Sequence, residues 1–446
     1  MRLWELLTEP ALHALLTISA NYCIIYLTLL LFFREVYDMK LPELLCPAGN
    51  PEKLRAAIDY GADAVYFAGN VFGMRAAADN FTTEEIKAGA DYAHRYGGKA
   101  YLTVNVMPHE NEYPELYDYI DEIKDTGIDA AIVADLGVIS LFREKAPHIP
   151  LHISTQANVV SSAACRAYAA LGAERIVLAR ELTLSEIKKI KSEIPDGLEL
   201  ETFIHGSMCI SNSGRCLISN HFTGRDANRG MCAQPCRWEY RIAEVKRPDD
   251  ILTVEEDTLT GESFIMSSKD LCMIEHIPEL VLSGIDSLKI EGRMKSAYYT
   301  AVVANTYRMA LDRYARDPES YVCDPEWLRE LSSVSHREYA TGFYFDRPGE
   351  EAQTVTEGGY IREKAYLAVA STDSDSSGIA TFVQRNKFSV GDTAEVISPG
   401  RCGRPFTVTE MYDDKGEPIV SAPHPQMSVG VKVPFEIKAG DILRQN

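Results

Sequence analysis

Leu44-Leu-Cys-Pro-Ala48, then Gly-Asn50-Pro51-Glu52, then a helical stretch ending before Ala64-Val-Tyr-Phe-Ala68: this run reads as strand, cap, helix, strand. Both strand segments are apolar on both faces. Asn50-Pro51-Glu52 supplies a side-chain acceptor, a proline at the first helical position and an acid in the first turn, which together start a helix. The same unit recurs as far as about residue 316, with further strands expected at 99–104, 130–134, 151–154, 175–178, 198–204 and 287–290. Thr82-Thr83-Glu84-Glu85 and Thr183-Leu-Ser185-Glu186 mark two more helix starts. Strands that are apolar on both faces and separated by helices pair in parallel through right-handed crossovers, and eight such units predict closure into a TIM-like β/α barrel. An open doubly wound sheet is the fallback, but no glycine-rich dinucleotide turn follows the first strand.

In such a barrel the C-terminal ends of the strands form the active face. Those positions hold Asn50, Gly69-Asn70, Asn105, Asp135, His152 with Ser154-Thr155-Gln156, Arg180-Glu181, Glu201 with His205, and Glu291-Gly-Arg293-Met-Lys295. His152 and His205 can donate protons or hold an anion, and Arg180, Arg293 and Lys295 can clamp carboxylates. Read singly, each is equally well a satisfied buried polar residue; their convergence on one rim is what points to chemistry. The catalytic set expected from this rim is His152, Glu201, His205, Arg293 and Lys295.

The chain has 446 residues, 46% of them apolar, and a formal net charge of -20. That length holds two or three domains with a sizeable core, and the acidic balance argues against a generic nucleic-acid coat. Locally the balance reverses: between His205 and Arg247 there are seven Arg and Lys against three Asp and Glu. Such a patch suits RNA or a small anion; the competing reading is a solvated arginine-rich loop. Residues 11–33 form an apolar run near membrane-spanning length, interrupted by His13, Thr17, Ser19 and Asn21, without the basic start and cleavage site of a signal peptide. With Met39-Lys40 leading straight into the first strand, residues 1–38 read as an upstream extension, with a membrane anchor as the rival; starting from Met39, no stable membrane association is expected.

Between the seventh and eighth strands lies an insertion, residues 205–272 within a connection of about 80 residues, against two to six for a usual βα loop. It carries Cys209, Cys216, Cys232, Cys236 and Cys272, at spacings of seven, sixteen, four and thirty-six. Thiolates gathered at fixed spacings are what a metal or an iron-sulfur cluster needs. Zinc sites usually show two close pairs, and only Cys232 and Cys236 make one. A buried set of unrelated cysteines and a catalytic thiol near His205 are the other readings. Ten cysteines in this chain are too sparse for a secreted disulfide scaffold, which favours a reducing, cytoplasmic setting. Because the insertion starts and ends at the catalytic rim, the cysteines are expected over the barrel mouth. Beyond it the barrel domain is expected to span residues 39–335, and alternating strands and turns in residues 355–446 predict a small C-terminal β-barrel domain.

Glu201-Thr-Phe-Ile-His-Gly-Ser-Met-Cys-Ile-Ser-Asn-Ser-Gly-Arg-Cys-Leu-Ile-Ser resembles the signature of the collagenase-like peptidase family U-32. Leu-Leu-Cys-Pro-Ala-Gly-Asn50 and Lys289-Ile-Glu-Gly-Arg-Met-Lys295 fit the same family, and the resemblance runs from Met39 to the end. It implies, for several branches, an oxygen-independent hydroxylase with a 4Fe-4S cluster, acting on the tRNA wobble uridine, on ribosomal RNA or on a ubiquinone precursor. In the RNA-modifying branches it implies prephenate as the source of the hydroxyl group. Carried over position by position, Cys209, Cys216, Cys232 and Cys272 match the cluster ligands, with Cys236 as the alternative to Cys232. A barrel with one small β domain is most similar to the tRNA branch, which forms 5-hydroxyuridine. The expected partners are then the tRNA anticodon arm, a small dicarboxylate and an electron donor. The rival functions are a peptidase, for which no triad, nucleophile elbow or zinc-protease motif is readable, and a non-catalytic RNA-binding factor.

Overall fold

The computed structural model describes residues 41–74, 79–208, 218–225, 231–235, 238, 243–244, 247–251, 268–346, 361 and 364–446. The apolar run at 11–33, and Cys209, Cys216 and Cys236, lie outside these residues.

Eight parallel strands close on themselves. They are β1 (Glu43–Pro47), β2 (Ala64–Ala68), β3 (Lys99–Val104), β4 (Ala130–Val133), β5 (Leu151–Ile153), β6 (Ala173–Val177), β7 (Glu199–Ser207) and, after a short extra strand β8 (Asp270–Cys272), β9 (Ser287–Ile290). Each pairs with the next, and β9 pairs with both β7 and β1, which removes the sheet edge. The expected TIM-like barrel is present. Helices α1 (Pro51–Asp59), α2 (Thr83–Arg95), α3 (Tyr113–Ile123), α4 (Leu136–Lys145), α5 (Ser162–Ala170) and α6 (Leu184–Glu193) cross between strands. Their starts follow the sequence signals. Asn50 Oδ1 accepts the Lys53 N–H at 3.0 Å, and Thr82 with Glu85 and Thr183 with Glu186 form reciprocal capping boxes.

Alternation sorts the strand residues. In β1, Leu44 and Cys46 face the helices in the main core, while Leu45 faces inward with Ala64, Tyr66, Tyr101, Ala130 and Ile132. At the far end of β7 the strand runs on past the barrel, and β8 adds to it antiparallel, with Asp270 opposite Ser207 and Cys272 opposite His205. The long helix α7 (Ala297–Arg316) packs along α1 and β1, and α8 (Pro325–Ser332) follows it.

The C-terminal part is an antiparallel eight-stranded half-barrel that includes strands Tyr366–Ala370, Ile379–Gln384, Thr393–Ile397, Ser428–Lys432 and Ile442–Gln445. It has a core of its own around Phe382, Val396, Val429, Val431 and Leu443, while Ile397 and Ile442 reach into the core of the barrel. A polar seam joins the two. Arg444 bonds Glu330 of α8 at 2.7 Å and Glu395 of its own domain at 2.6 Å, and the Tyr60 hydroxyl donates to Ile397 O at 3.0 Å.

Candidate functional site

At the C-terminal ends of the barrel strands lies a small cavity of about 50 Å³ that opens to solvent. Its two sides differ. Thr103 of β3 and Asn105 just after it, with Ser154, Thr155 and Gln156 just after β5, make a wall of neutral hydrogen-bonding groups, with Ile132 of β4 between them. Lys289, Glu291 and Arg293, on or just after β9, carry charge on the strand position opposite β4, and Arg180 stands after β6. Tyr66 and Phe203 supply aromatic faces.

The ionic side is held in place. Arg293 is 3% exposed and reaches Thr103 Oγ1 at 3.4 Å, so its guanidinium spans the mouth. Its carbonyl accepts the Lys53 ammonium at 3.3 Å, and Gly49 packs so tightly on that carbonyl that a Cβ there would overlap it. Arg180 donates to Ser207 O at 2.7 Å and lies over the Phe203 ring at 3.9 Å, a cation–π contact. The Tyr66 hydroxyl donates to Ile290 O at 3.0 Å and lies 3.2 Å from the Glu291 carboxylate; burial, then the Glu291 charge, push its pKa well above the usual phenol value.

Beneath the cavity the barrel is filled by charge rather than by hydrocarbon alone. Arg175 of β6 bonds Glu43 at 2.6 Å, Glu199 at 2.6 Å and Glu201 at 3.3 Å, and Lys289 bonds Glu201 at 2.6 Å while sitting 4.2 Å from the Tyr66 ring centre. Tyr101 and Ser287 also donate to Glu43, at 2.7 and 3.0 Å. Buried charges persist only when paired and hydrogen-bonded, and here each carboxylate meets at least one cation. Glu201, expected at the rim, is a fully buried member of this network and does not line the cavity, because β7 continues six residues beyond it. His152 is also below the cavity, edge-on to Tyr101; burial, then the charges of Arg175, Lys289 and Lys99, hold its pKa well below the ordinary histidine value.

His205 and Lys295 lie behind the barrel. A register shift between Lys289 and Ile290 pairs Ile290 with His205, so His205 joins the outer face, packed among Tyr299, Tyr307 and Tyr339. Burial lowers its pKa to about 3. The Lys295 ammonium donates to Ser335 O at 2.8 Å and faces the Tyr299 ring at 5.4 Å, also outside the cavity lining. Of the five expected catalytic residues, Arg293 alone lines the cavity.

Two of the four expected cluster ligands fall among the described residues, and they share a local geometry. Cys232 Sγ accepts the backbone N–H of Gln234 at 3.3 Å. Cys272 Sγ accepts the backbone N–H of Ile274 and lies 3.9 Å from the Tyr307 hydroxyl. An N–H from two residues on stabilises a sulfur carrying negative charge, as a metal-bound thiolate does, so both positions fit an iron-sulfur ligand. Burial pushes the free Cys272 thiol up to about 12, unlike a nucleophilic cysteine, whose thiol is tuned downward.

The family model described as peptidase family U32 matches residues 49–354, and that of the family's C-terminal domain matches residues 362–444. The chain belongs to peptidase family U32. Among relatives within the U32 family, tRNA hydroxylation protein P1 of Bacillus subtilis is 40% identical over 91% of this chain and 95% of its own length. The tRNA hydroxylation protein P of Escherichia coli is 34% identical over 89% of this chain and 95% of its own. A collagenase of Porphyromonas gingivalis is 32% identical over 80% and 86%.

For this U32 chain, strand-end reading located Asn105, Ser154, Thr155, Gln156, Arg180, Glu291 and Arg293 on the cavity. It missed Tyr66, Thr103, Phe203 and Lys289, which sit within strands. Their signal was inward alternation: Lys289 is in register with inward-facing Leu45.

Proposed function

We propose that this protein is an iron-sulfur-dependent, oxygen-independent RNA hydroxylase that forms 5-hydroxyuridine at the wobble position of tRNA in the cytoplasm, with a prephenate-like dicarboxylate as hydroxyl donor. The observation that carries this reading is the cavity, a neutral hydrogen-bonding wall facing a cationic one, in a chain that aligns over nine-tenths of its length with a protein named for tRNA hydroxylation. The reaction exchanges the C5–H of uridine for C5–OH while the donor loses its hydroxyl and gains the hydrogen. Arg293 and Arg180 bind the donor's carboxylates, since guanidinium groups match carboxylate geometry and hold their charge at any working pH. The uncharged Asn105 and Ser154 groups face an unpaired base turned out of the anticodon loop, and the closed barrel floor excludes water from below.

Cys209, Cys216, Cys232 and Cys272 would hold the 4Fe-4S cluster, which when bound supplies redox and Lewis-acid chemistry to the site. The collagenase relative favours a second reading, a peptidase. Protein purified without oxygen from Met39 onward decides between them. About four irons and four sulfides per chain, lost in Cys272→Ala, with 5-hydroxyuridine formed in tRNA by nucleoside mass spectrometry, is the expected result. Cleavage of a collagen-like peptide by iron-free protein, with no modified nucleoside, would replace the hydroxylase by the peptidase.

A further inference from the structure

The neutral wall of the cavity has a fixed hydrogen-bond polarity. Asn105 Oδ1 accepts the backbone N–H of Met74 at 3.2 Å. A backbone N–H can only donate, so this contact sets which end of the amide is oxygen and leaves Nδ2 facing Ser154, whose Oγ accepts from it at 3.1 Å. Ser154 Oγ also accepts the backbone N–H of Gln156, at 3.3 Å. A hydroxyl has two lone pairs and one hydrogen. With both lone pairs engaged, Ser154 has only its hydrogen to offer, and no acceptor among the described residues takes it. Ser154 is 2% exposed and lines the cavity. A buried donor left in this state is completed by an acceptor on whatever fills the space.

We infer that Ser154, oriented by Asn105, is the specificity-determining contact of the base subsite, donating its hydroxyl hydrogen to the C4 carbonyl oxygen of the target pyrimidine. This rests on the hydroxylase reading above and deepens it. Lys289 and Glu291 stand on the strand position opposite β4, Arg293 reaches from there to Thr103 and Arg180 follows β6, so the Asn105–Ser154 stretch is the uncharged part of the lining and is left for the neutral base. Uridine presents a carbonyl acceptor at C4. Cytidine presents an amino group there, and two donors would face each other with neither satisfied, the arrangement by which a polar site rejects a near-isostere. Asn105 acts through Ser154 as a positioning residue: it keeps the serine hydrogen pointed away from itself.

The experiment uses full-length, cluster-loaded protein with two anticodon stem-loop RNAs that differ only in uridine or cytidine at the target position. The ratio of 5-hydroxyuridine to 5-hydroxycytidine formation is read by mass spectrometry, and competition between the two RNAs for binding reads the same contact without turnover. Ser154→Ala lowers the uridine preference about tenfold in both measurements, the size of one lost hydrogen bond in a buried site. Ser154→Thr, which keeps the hydroxyl, retains the preference. Asn105→Asp lowers it, because a carboxylate oxygen in place of Nδ2 takes the serine hydrogen for itself. A Ser154→Ala protein with the wild-type preference overturns the inference; should that variant fail to fold, an unchanged preference in Asn105→Asp overturns it equally. If the wild-type protein modifies neither RNA, the hydroxylase reading falls, and equal binding of the two RNAs would remove the Ser154 contact with it.

Discussion

Arg293 is the side chain on which the binding chemistry turns. It crosses the cavity mouth to Thr103, and its backbone is fastened by Lys53 and by the close approach of Gly49. Arg293→Ala is expected to raise KM for the dicarboxylate donor by about 100-fold, the worth of a buried charge-assisted contact, while the unfolding midpoint stays close to wild type. Steady-state kinetics with varied donor checks this, and an unchanged KM would remove Arg293 from the donor site. Glu201 predicts the reverse pattern. Glu201→Gln leaves Lys289 and Arg175 without one of their counter-charges in the barrel interior and should cost about 3–5 kcal/mol in urea unfolding. Glu43 adds a pH dependence. Burial raises its pKa, but the Arg175 charge and the bonds from Arg175, Tyr101 and Ser287 outweigh this and hold it below the ordinary glutamate value. A carboxylate with a depressed folded pKa stabilises above its unfolded value and loses that contribution as pH falls through the folded one. Acid unfolding of the wild type below pH 4.5 should therefore steepen relative to Glu43→Gln, as followed by circular dichroism.

At the scale of elements, the β1 to α1 turn deserves the closest test. Its Asn50 caps α1 and its Gly49 lies against the Arg293 carbonyl, so one short turn starts a helix and sets a binding residue. Gly49→Ala should displace Arg293 and reproduce the donor KM defect, with the helix still formed because Asn50 is untouched; a wild-type KM would show that the turn gives way without moving the arginine. The barrel elements were legible because Asn50, Thr82 and Thr183 mark helix starts and strands such as β2 and β4 are apolar on both faces. The site was legible at Asn105, Ser154 and Arg293, which follow strand ends, whereas Asn50 and Asp135, also just after strands, cap the next helices and do not line the cavity. His205 was not, because the register shift that carries it to the outer face is a backbone irregularity that leaves no mark on side-chain type. Nor was Glu201, since nothing in its sequence shows that β7 outruns the barrel to pair with β8. Lys295 lies three residues beyond Gly292, and its direction toward Ser335 depends on a segment some forty residues away.

Over the whole molecule, the C-terminal half-barrel is fastened by buried polar contacts together with a small apolar contact, Ile397 and Ile442 reaching into the barrel core. Arg444 joins Glu330 of the barrel domain to Glu395 of its own, and all three are buried. Arg444→Ala leaves the buried Glu330 without its cation, while Glu395 keeps Lys364, and should cost about 3–5 kcal/mol, splitting a single unfolding transition into two as the domains lose their coupling. Differential scanning calorimetry reads this directly, and one unsplit peak at the wild-type position would show that the Tyr60 bond to Ile397 O and that of Asn305 Nδ2 to Arg401 O, 2.9 Å long, carry the docking instead.

The charged barrel interior has a thermal consequence. Most domains owe the curvature of their stability with temperature to the apolar surface they hide, whose exposure raises heat capacity, whereas exposure of polar groups lowers it. A barrel centred on Arg175, Lys289 and three carboxylates hides less hydrocarbon at its axis than one stacked with branched aliphatics. The penalty for withdrawing those ions from water also shrinks on warming. This axis should thus hold its worth as the solution is heated, giving the barrel a broader, flatter range of working temperatures than its size alone would set.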